Sequence, residues 1–381
     1  MKNLLKIALL SLTLAACKPE PPLHLFDGGN IEIEIPMVEL ELEAYWDYEI
    51  AYGTQYKWRE EWYYGWDDTD ENIFGPIGYT KPSVFNLRRY YTGNTTPAHH
   101  NTVLTNTVNG YNFRGQYTWG FWDILVWNDV QTSDGVQSVN FDETTTLDSV
   151  TAYTNMTQRS SRLNAPKYQN SFWEPEALFA AYDQGIEINR DLAGFIYDEE
   201  RNVWVKRLNM TLKPVTYIYL TQVILHNNKN KIIGVDGSAD LSGMARTVTL
   251  NNGVAGEDAI TVYYNNRLKN HCDMKDEKVD IIGGRLTTFG ICNQNGNSIQ
   301  YREDVVDDNR HYIDVKMQFN NGKDSTFVFD VTEQVRKRWK GGVITVELDM
   351  DTIPVPTRSG GSAFDAVVKE YEDGGTHEFE M

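Results

Sequence analysis

An alternation of period two constrains this chain more than any other feature. Ile31, Ile33 and Ile35 alternate with Glu32 and Glu34, and Val38, Leu40 and Leu42 alternate with Glu39, Glu41 and Glu43. Successive side chains of a strand point to opposite faces, so this spacing predicts strands with one face in a core and one in water. Pro36 has no N–H to give a ladder and marks a break, bulge or edge between the two runs. Strand-like runs recur at 83–91, 101–108, 117–128, 136–141 and 147–154. In the run from Tyr117 to Asn128 both parities are apolar, which predicts a strand buried on both faces, with Asp123 in need of a partner. Further runs follow at 203–225, broken at Pro214, then at 232–250, 259–264, 279–291, 312–319, 326–329 and 343–348. A segment at 364–368 follows Gly360-Gly361 and leads into a polar tail ending at Met381.

Helix signals are few. Trp173 to Ala181 carries Pro175 at a first-turn position, with Glu174 and Glu176 at the positive end of a helix dipole. It predicts a short helix joining two domains. Asp330-Val331-Thr332-Glu333 reads as a second helix start, with Asp330 as cap and Glu333 reaching back. Val331, Val335 and Trp339 form its buried stripe, and Arg336, Lys337, Arg338 and Lys340 its solvated basic end before Gly341. Many short strands and few helices predict an all-β fold of β-sandwiches. A length of 381 residues leaves room for two in tandem, at 29–195 and 203–381, with the boundary near Asn189 to Asn202.

Lys2 and Lys6, the apolar stretch Ile7 to Leu14 and the small residues Ala15 and Ala16 have the order of a secretory signal. The apolar part is well short of the roughly 20 residues that span a bilayer. Leu14-Ala15-Ala16-Cys17 looks like a bacterial lipobox. The expectation is a signal at 1–16, lipid attachment at Cys17 and a tether at 17–28 kept extended by Pro19, Pro21 and Pro22. The formal charge of -19 becomes -21 without Lys2 and Lys6, since -19 - 2 = -21. Such a chain is a poor partner for nucleic acid, and lipid rather than charge would hold it on a membrane.

Cys272 and Cys292 are the other two cysteines, and an exported chain can pair them. A zinc site of His271, Cys272 and Cys292 lacks the usual ligand spacings. Asp68-Thr69-Asp70-Glu71-Asn72 begins like a calcium loop, but Ile73 stands where the glycine belongs. GxSxG, HExxH, P-loop, dinucleotide GxGxxG and SxxK patterns are absent, and the adjacent His99 and His100 lie in a polar loop. No metal, cofactor or catalysis is expected. The insertion at 45–80 crowds aromatic rings among acidic residues with no single period. Trp46, Trp58, Trp62 and Trp66 are its candidate contact surface, for a protein partner or a glycan.

Three stretches carry a resemblance to a known family. Tyr117 to Asp129 is similar to an aromatic strand ending in an Asn turn, and Leu241-Ser242-Gly243-Met244-Ala245, with Val248 and Gly253, to a Leu-Ser-Gly-Met segment. Phe329 to Val335, with Gly360 to Asp365, is similar to a C-terminal helix and glycine-rich end. Together they resemble the fimbrillin-like lipoproteins of Bacteroides and Porphyromonas, above all the non-polymerising anchor type, over about residues 110–381. The resemblance implies two tandem transthyretin-like, Greek-key sandwiches on a lipid anchor in the outer membrane. It also implies a role in fimbriae or adhesion with fimbrial subunits as partners, and no catalysis. The aromatic insertion departs from that pattern. Polymerising members lose their first strand by cleavage after a basic residue; Lys57 and Arg59 stand in a comparable place here, in a different setting.

Overall fold

The computed structural model describes residues 36–44, 62, 72, 77–93, 102–130, 138–143, 149–160, 170–274, 277–296, 298, 301–302, 309–357 and 367–368. Within them the chain is all-β. The strands of its first part are β1 Pro36–Ala44, β2 Val84–Gly93, β3 Thr102–Asn109, β4 Asn112–Gln116, β5 Gly120–Asn128, β6 Val139–Asp142, β7 Thr151–Thr154, β8 Met156–Ser160, β9 Asn170–Trp173, β10 Phe179–Ile188, β11 Ile196–Asp198 and β12 Val203–Pro214. Those that follow are β13 Tyr217–His226, β14 Ile232–Ala245, β15 Thr247–Thr249, β16 Val254–Ala255, β17 Ala259–Met274, β18 Glu277–Thr288, β19 Tyr312–Phe319, β20 Asp324–Asp330, β21 Gly342–Asp349 and β22 Val367–Val368. A helix, α1 at Thr332–Lys337, lies between β20 and β21.

The first sheet has the order β3-β2-β5-β10-β12-β1-β4, with β11 added to β12. β3 and β4 follow one another in the chain yet stand at opposite ends of this order, so the sheet curls into a sandwich. Val38, Phe85, Leu87, Trp122, Ile124 and Val126 fill its interior. The second sheet runs β21-β13-β18-β17-β14-β19-β20-β22, with the β8–β9 pair added to β17. β17 makes the corner: its first half pairs with β14 and its second with β18. Between the two layers lie Tyr219, Val223, Leu241, Tyr264, Ile313 and Phe329. The glycine of the Leu-Ser-Gly-Met segment has a local reason. Gly243 has φ +81° at a bulge in β14, and a Cβ there would come within 2.6 Å of the Arg310 carbonyl oxygen.

A third, four-stranded sheet joins the two, in the order β16-β15-β7-β6. It mixes strands from before and after β12. Its core does the same, packing Tyr90, Leu125, Trp127 and Ala152 with Ala245, Val248, Leu250 and Phe289. β5 therefore has one face in the first interior and the other in this shared core, as its two apolar parities predict.

Two expectations are corrected. Trp173 to Ala181 is not a helix: β9 ends at Trp173, residues 174–178 are extended, and β10 begins at Phe179. Glu, Ala and Leu favour helix intrinsically, but here the backbone is claimed by other partners. Asn128 accepts the Phe179 N–H at 2.6 Å and donates to the Ala177 carbonyl at 2.9 Å. The Thr216 hydroxyl accepts the Leu178 N–H at 3.0 Å. Nor does strand pairing divide between 195 and 203. β12 pairs with β1 from Trp204 to Leu212, and from β12 in the first sheet the chain passes to β13 in the second at Val215-Thr216.

Candidate anchoring site and contact surfaces

β1 is the first described element after the motif at Cys17. It is not an edge. It runs parallel to β12, from Pro36 opposite Trp204 to Ala44 opposite Leu212, and antiparallel to β4, from Met37 opposite Gln116 to Glu41 opposite Asn112. Val38 points into the first interior and is fully buried. Glu39 points outward between Arg207 on β12 and Arg114 on β4 and is ion-paired to both, as well as to Arg201 at 3.0 Å from the β11–β12 turn. Exposed ion pairs contribute little singly, but a carboxylate shared by three guanidiniums fixes the register of β1 on both sides. Cys17, and with it the expected signal and tether, lies outside the described residues.

Of the four candidate tryptophans, Trp46, Trp58 and Trp66 lie outside the described residues, as do Lys57, Arg59, His99 and His100. Trp62 is described, and it is no surface ring. It is 4% exposed and packs with Ile77 and Tyr79 on Ile218 and Leu220 of β13 and Val343 of β21. This is the outer face of the second sheet, where even-numbered residues of β13 point, while Tyr219, Val223 and Leu225 point inward. The seat for the ring is a glycine. A Cβ on Gly283 would lie 3.2 Å from the indole of Trp62, and one on Gly284 would lie 2.6 Å from the ring of Tyr264. Two adjacent glycines in β18 thus admit one ring on each face of the strand.

The expected disulfide does not form. Cys272 packs with Ile224, Val279 and Ile281, whereas Cys292 belongs to the shared core. Cys272 lies opposite Val279 near the start of β18, and Cys292 follows the end of that strand at Thr288. Nine residues of strand at about 3.3 Å each separate those points by about 30 Å, against a limit near 7 Å between Cα atoms of a bridge.

The segment mistaken for a helix is where the parts of the chain meet. The Glu176 carboxylate accepts the N–H groups of Ser138 at 2.9 Å and Val139 at 3.0 Å. Glu174 accepts the Thr287 N–H at 2.9 Å and faces Arg285 at 3.7 Å. Burial outweighs both, and it pushes the Glu174 carboxyl above the usual range. Tyr79, hydrogen-bonded to Thr216 at 3.2 Å, is pushed up to about 12 by the same burial. Sequence reasoning asked for a partner for Asp123 and the structure supplies two: Tyr182 donates to it at 3.1 Å and the Gly185 N–H at 2.7 Å. It gave no sign of a half-buried pair on the second sheet, where Trp173 meets Tyr263 edge-on at 5.8 Å and Arg159 lies 4.4 Å over the tyrosine. Trp173 reaches Tyr263 only through the parallel pairing of β9 with β17, which local patterning does not show.

At α1 the buried stripe of Val331, Val335 and Trp339 forms as predicted. The cap position falls on Val331, not on the expected Asp330, and no side chain caps the helix; Asp330 accepts the Thr332 N–H at 3.0 Å, and Glu333 faces Arg336 at 3.7 Å instead of reaching back. Lys340 is not solvated. It is 7% exposed, and burial, with the charge of Lys213 second, lowers its amine to about 8. Among the described residues no group of three or more His, Cys, Asp and Glu is placed to hold a metal ion. No helix among the described residues is long and apolar enough to cross a membrane.

No family model matches this chain, and no curated protein does. Solved structures do. An adhesin candidate from Bacteroides ovatus is 13% identical, covering 89% of this chain and 94% of its own, with a TM-score of 0.44. One from Bacteroides thetaiotaomicron is 10% identical, covering 84% and 94%, with a TM-score of 0.46. The chain is likewise similar to the fimbrial anchor protein Mfa2 from Porphyromonas gingivalis, at 10% identity, 82% and 90% coverage and a TM-score of 0.35.

Proposed function

We propose that this chain is a lipid-tethered cell-envelope subunit of fimbrial type that anchors or caps an assembly from the outer membrane and performs no catalysis. The observation that carries the reading is the place of β1. The strand is paired along both edges, and it begins nineteen residues after Cys17, since 36 - 17 = 19. A subunit that polymerises by strand addition needs a vacated groove and a donor strand. Vacating β1 would separate β12 from β4 and release the chain from its lipid. The C-terminal stretch is a poor donor: 371–381 holds Glu372, Asp373, Glu378 and Glu380 around Gly374-Gly375, without apolar alternation. The partners in this reading are the membrane and other fimbrial subunits. A glycan surface on exposed tryptophans has less support, because Trp62 is buried.

Cys17→Ala tests the tether. The variant should leave the membrane fraction or remain unprocessed, and normal retention would end the anchor reading. Electron microscopy of the protein alone, with and without trypsin, should show no filaments.

A further inference from the structure

We infer that the β11–β12 hairpin is a second membrane contact, which lays Ile196 and Tyr197 against the lipid surface beside the tether. The inference rests on the lipid tether proposed above. Six large apolar side chains of the described residues are exposed, and scattered ones call for no explanation. Ile196, 73% exposed, and Tyr197, 41% exposed, are the two that follow one another. They lie on β11, opposite Val205 and Trp204 of β12. The rings of Tyr197 and Trp204 meet at 5.2 Å and 52°, and the Tyr197 hydroxyl donates to Asn202 across the turn. Tyrosine and tryptophan, apolar in body and polar at one end, concentrate where a bilayer meets water. The pair is built before any contact, so docking it orders little.

Position selects the occupant. Trp204 stands between Tyr197 and Pro36, its partners on β11 and β1. The hairpin is therefore at the end of the sheet where β1 begins, and the chain before Pro36 leads back to Cys17. Arg201 in the turn is ion-paired to Glu39 of β1 at 3.0 Å, which braces the hairpin on that strand. The nineteen residues from Cys17 reach at most about 65 Å, so the tether permits the contact without enforcing it. Charge does not oppose it locally. Residues 190–207 hold four basic and four acidic side chains, a net of zero in a chain of -19. Once lipid holds the chain, docking is intramolecular, and a contact too weak for a free protein is populated.

The lipidated chain on vesicles of phosphatidylcholine, part of it doxyl-labelled, tests the inference. A bimane fluorophore is attached at Ile196→Cys or at Thr211→Cys, which is exposed on β12 about 23 Å further along the strand than Trp204. Cys272 and Cys292 are buried and leave the label to the new thiol. The doxyl group should quench the probe at 196 and spare the one at 211. Tyr197→Asp should remove the quenching at 196 and leave thermal unfolding unchanged. Flotation of the vesicles reads the tether separately. A chain that does not float overturns the anchor reading and this inference with it. A floating chain whose probe at 196 is quenched no more than the one at 211 overturns this inference alone, and leaves the patch to a protein partner. Quenching at 196 that Tyr197→Asp does not alter overturns it too.

Discussion

Glu174 has the same sequence signature in a helix start as in what it does here, which is to accept one N–H from a distant strand. Its carboxyl is raised above the ordinary range by burial, against the opposing pull of Arg285 and the Thr287 N–H. An acid with a raised folded pKa binds its proton more readily folded than unfolded. Its contribution to stability therefore falls as pH rises from the unfolded carboxylate value through the raised one. Glu174→Gln keeps an oxygen for the Thr287 N–H and removes the charge. The variant should unfold at an equal or higher urea midpoint at pH 7, and the gap should close as pH falls below that window. A wild type that gains on the variant with rising pH would contradict this. Asp123 was legible because a lone carboxylate in a doubly apolar strand must be paired. Asn128 was not, because an Asn-Asp pair at a strand end reads as a turn, and nothing local shows that its amide clamps residues 177 and 179.

Elements with a clear local pattern were readable: β5 from its two apolar parities, β14 and β19 as strand-like runs, and α1 from the stripe of Val331, Val335 and Trp339. The segment 174–188 was not, because helix propensity is a weak prior against strand partners supplied by β5 and β12. The same lesson applies to the chain's aromatic insertion, where Trp62 finds its place only through Gly283, more than two hundred residues away. At the element scale the Gln334 contact with β21 gives a direct test. Gln334→Ala leaves the Thr345 N–H and carbonyl without that partner, and about 1–3 kcal/mol of stability should be lost. Gln334→Glu restores only the acceptor, so it should recover part of the loss at most. Urea unfolding of both variants measures the difference.

Taken whole, the molecule is less divisible than two beads on a string. β12 belongs to the first sheet, β8 and β9 to the second, and the third sheet draws on both sides of the chain. With Trp127 and Phe289 in one shared core, the parts should lose structure together. Calorimetry should give one transition whose van't Hoff and calorimetric enthalpies agree. Two resolved transitions would show that the shared core does not couple them. A cut at 189–202 should leave both pieces associated, since β10 and β12 are paired on either side of it. Sequence patterning located the strands but had no means of assigning them to sheets, because parallel pairings such as β1 with β12 and β9 with β17 join residues more than eighty positions apart. The parallel seating of β1 also decides how the molecule would respond to tension. With the tether proposed at Cys17, a pull from the membrane reaches β1 at its Pro36 end and runs along the strand. It loads the ladders to β12 and β4 in shear, many bonds at once, whereas a pull across the strands would unzip them one after another. Resistance to rupture is a rate, set by the barrier to the first failure. A strand held in shear on both sides raises that barrier where the load arrives.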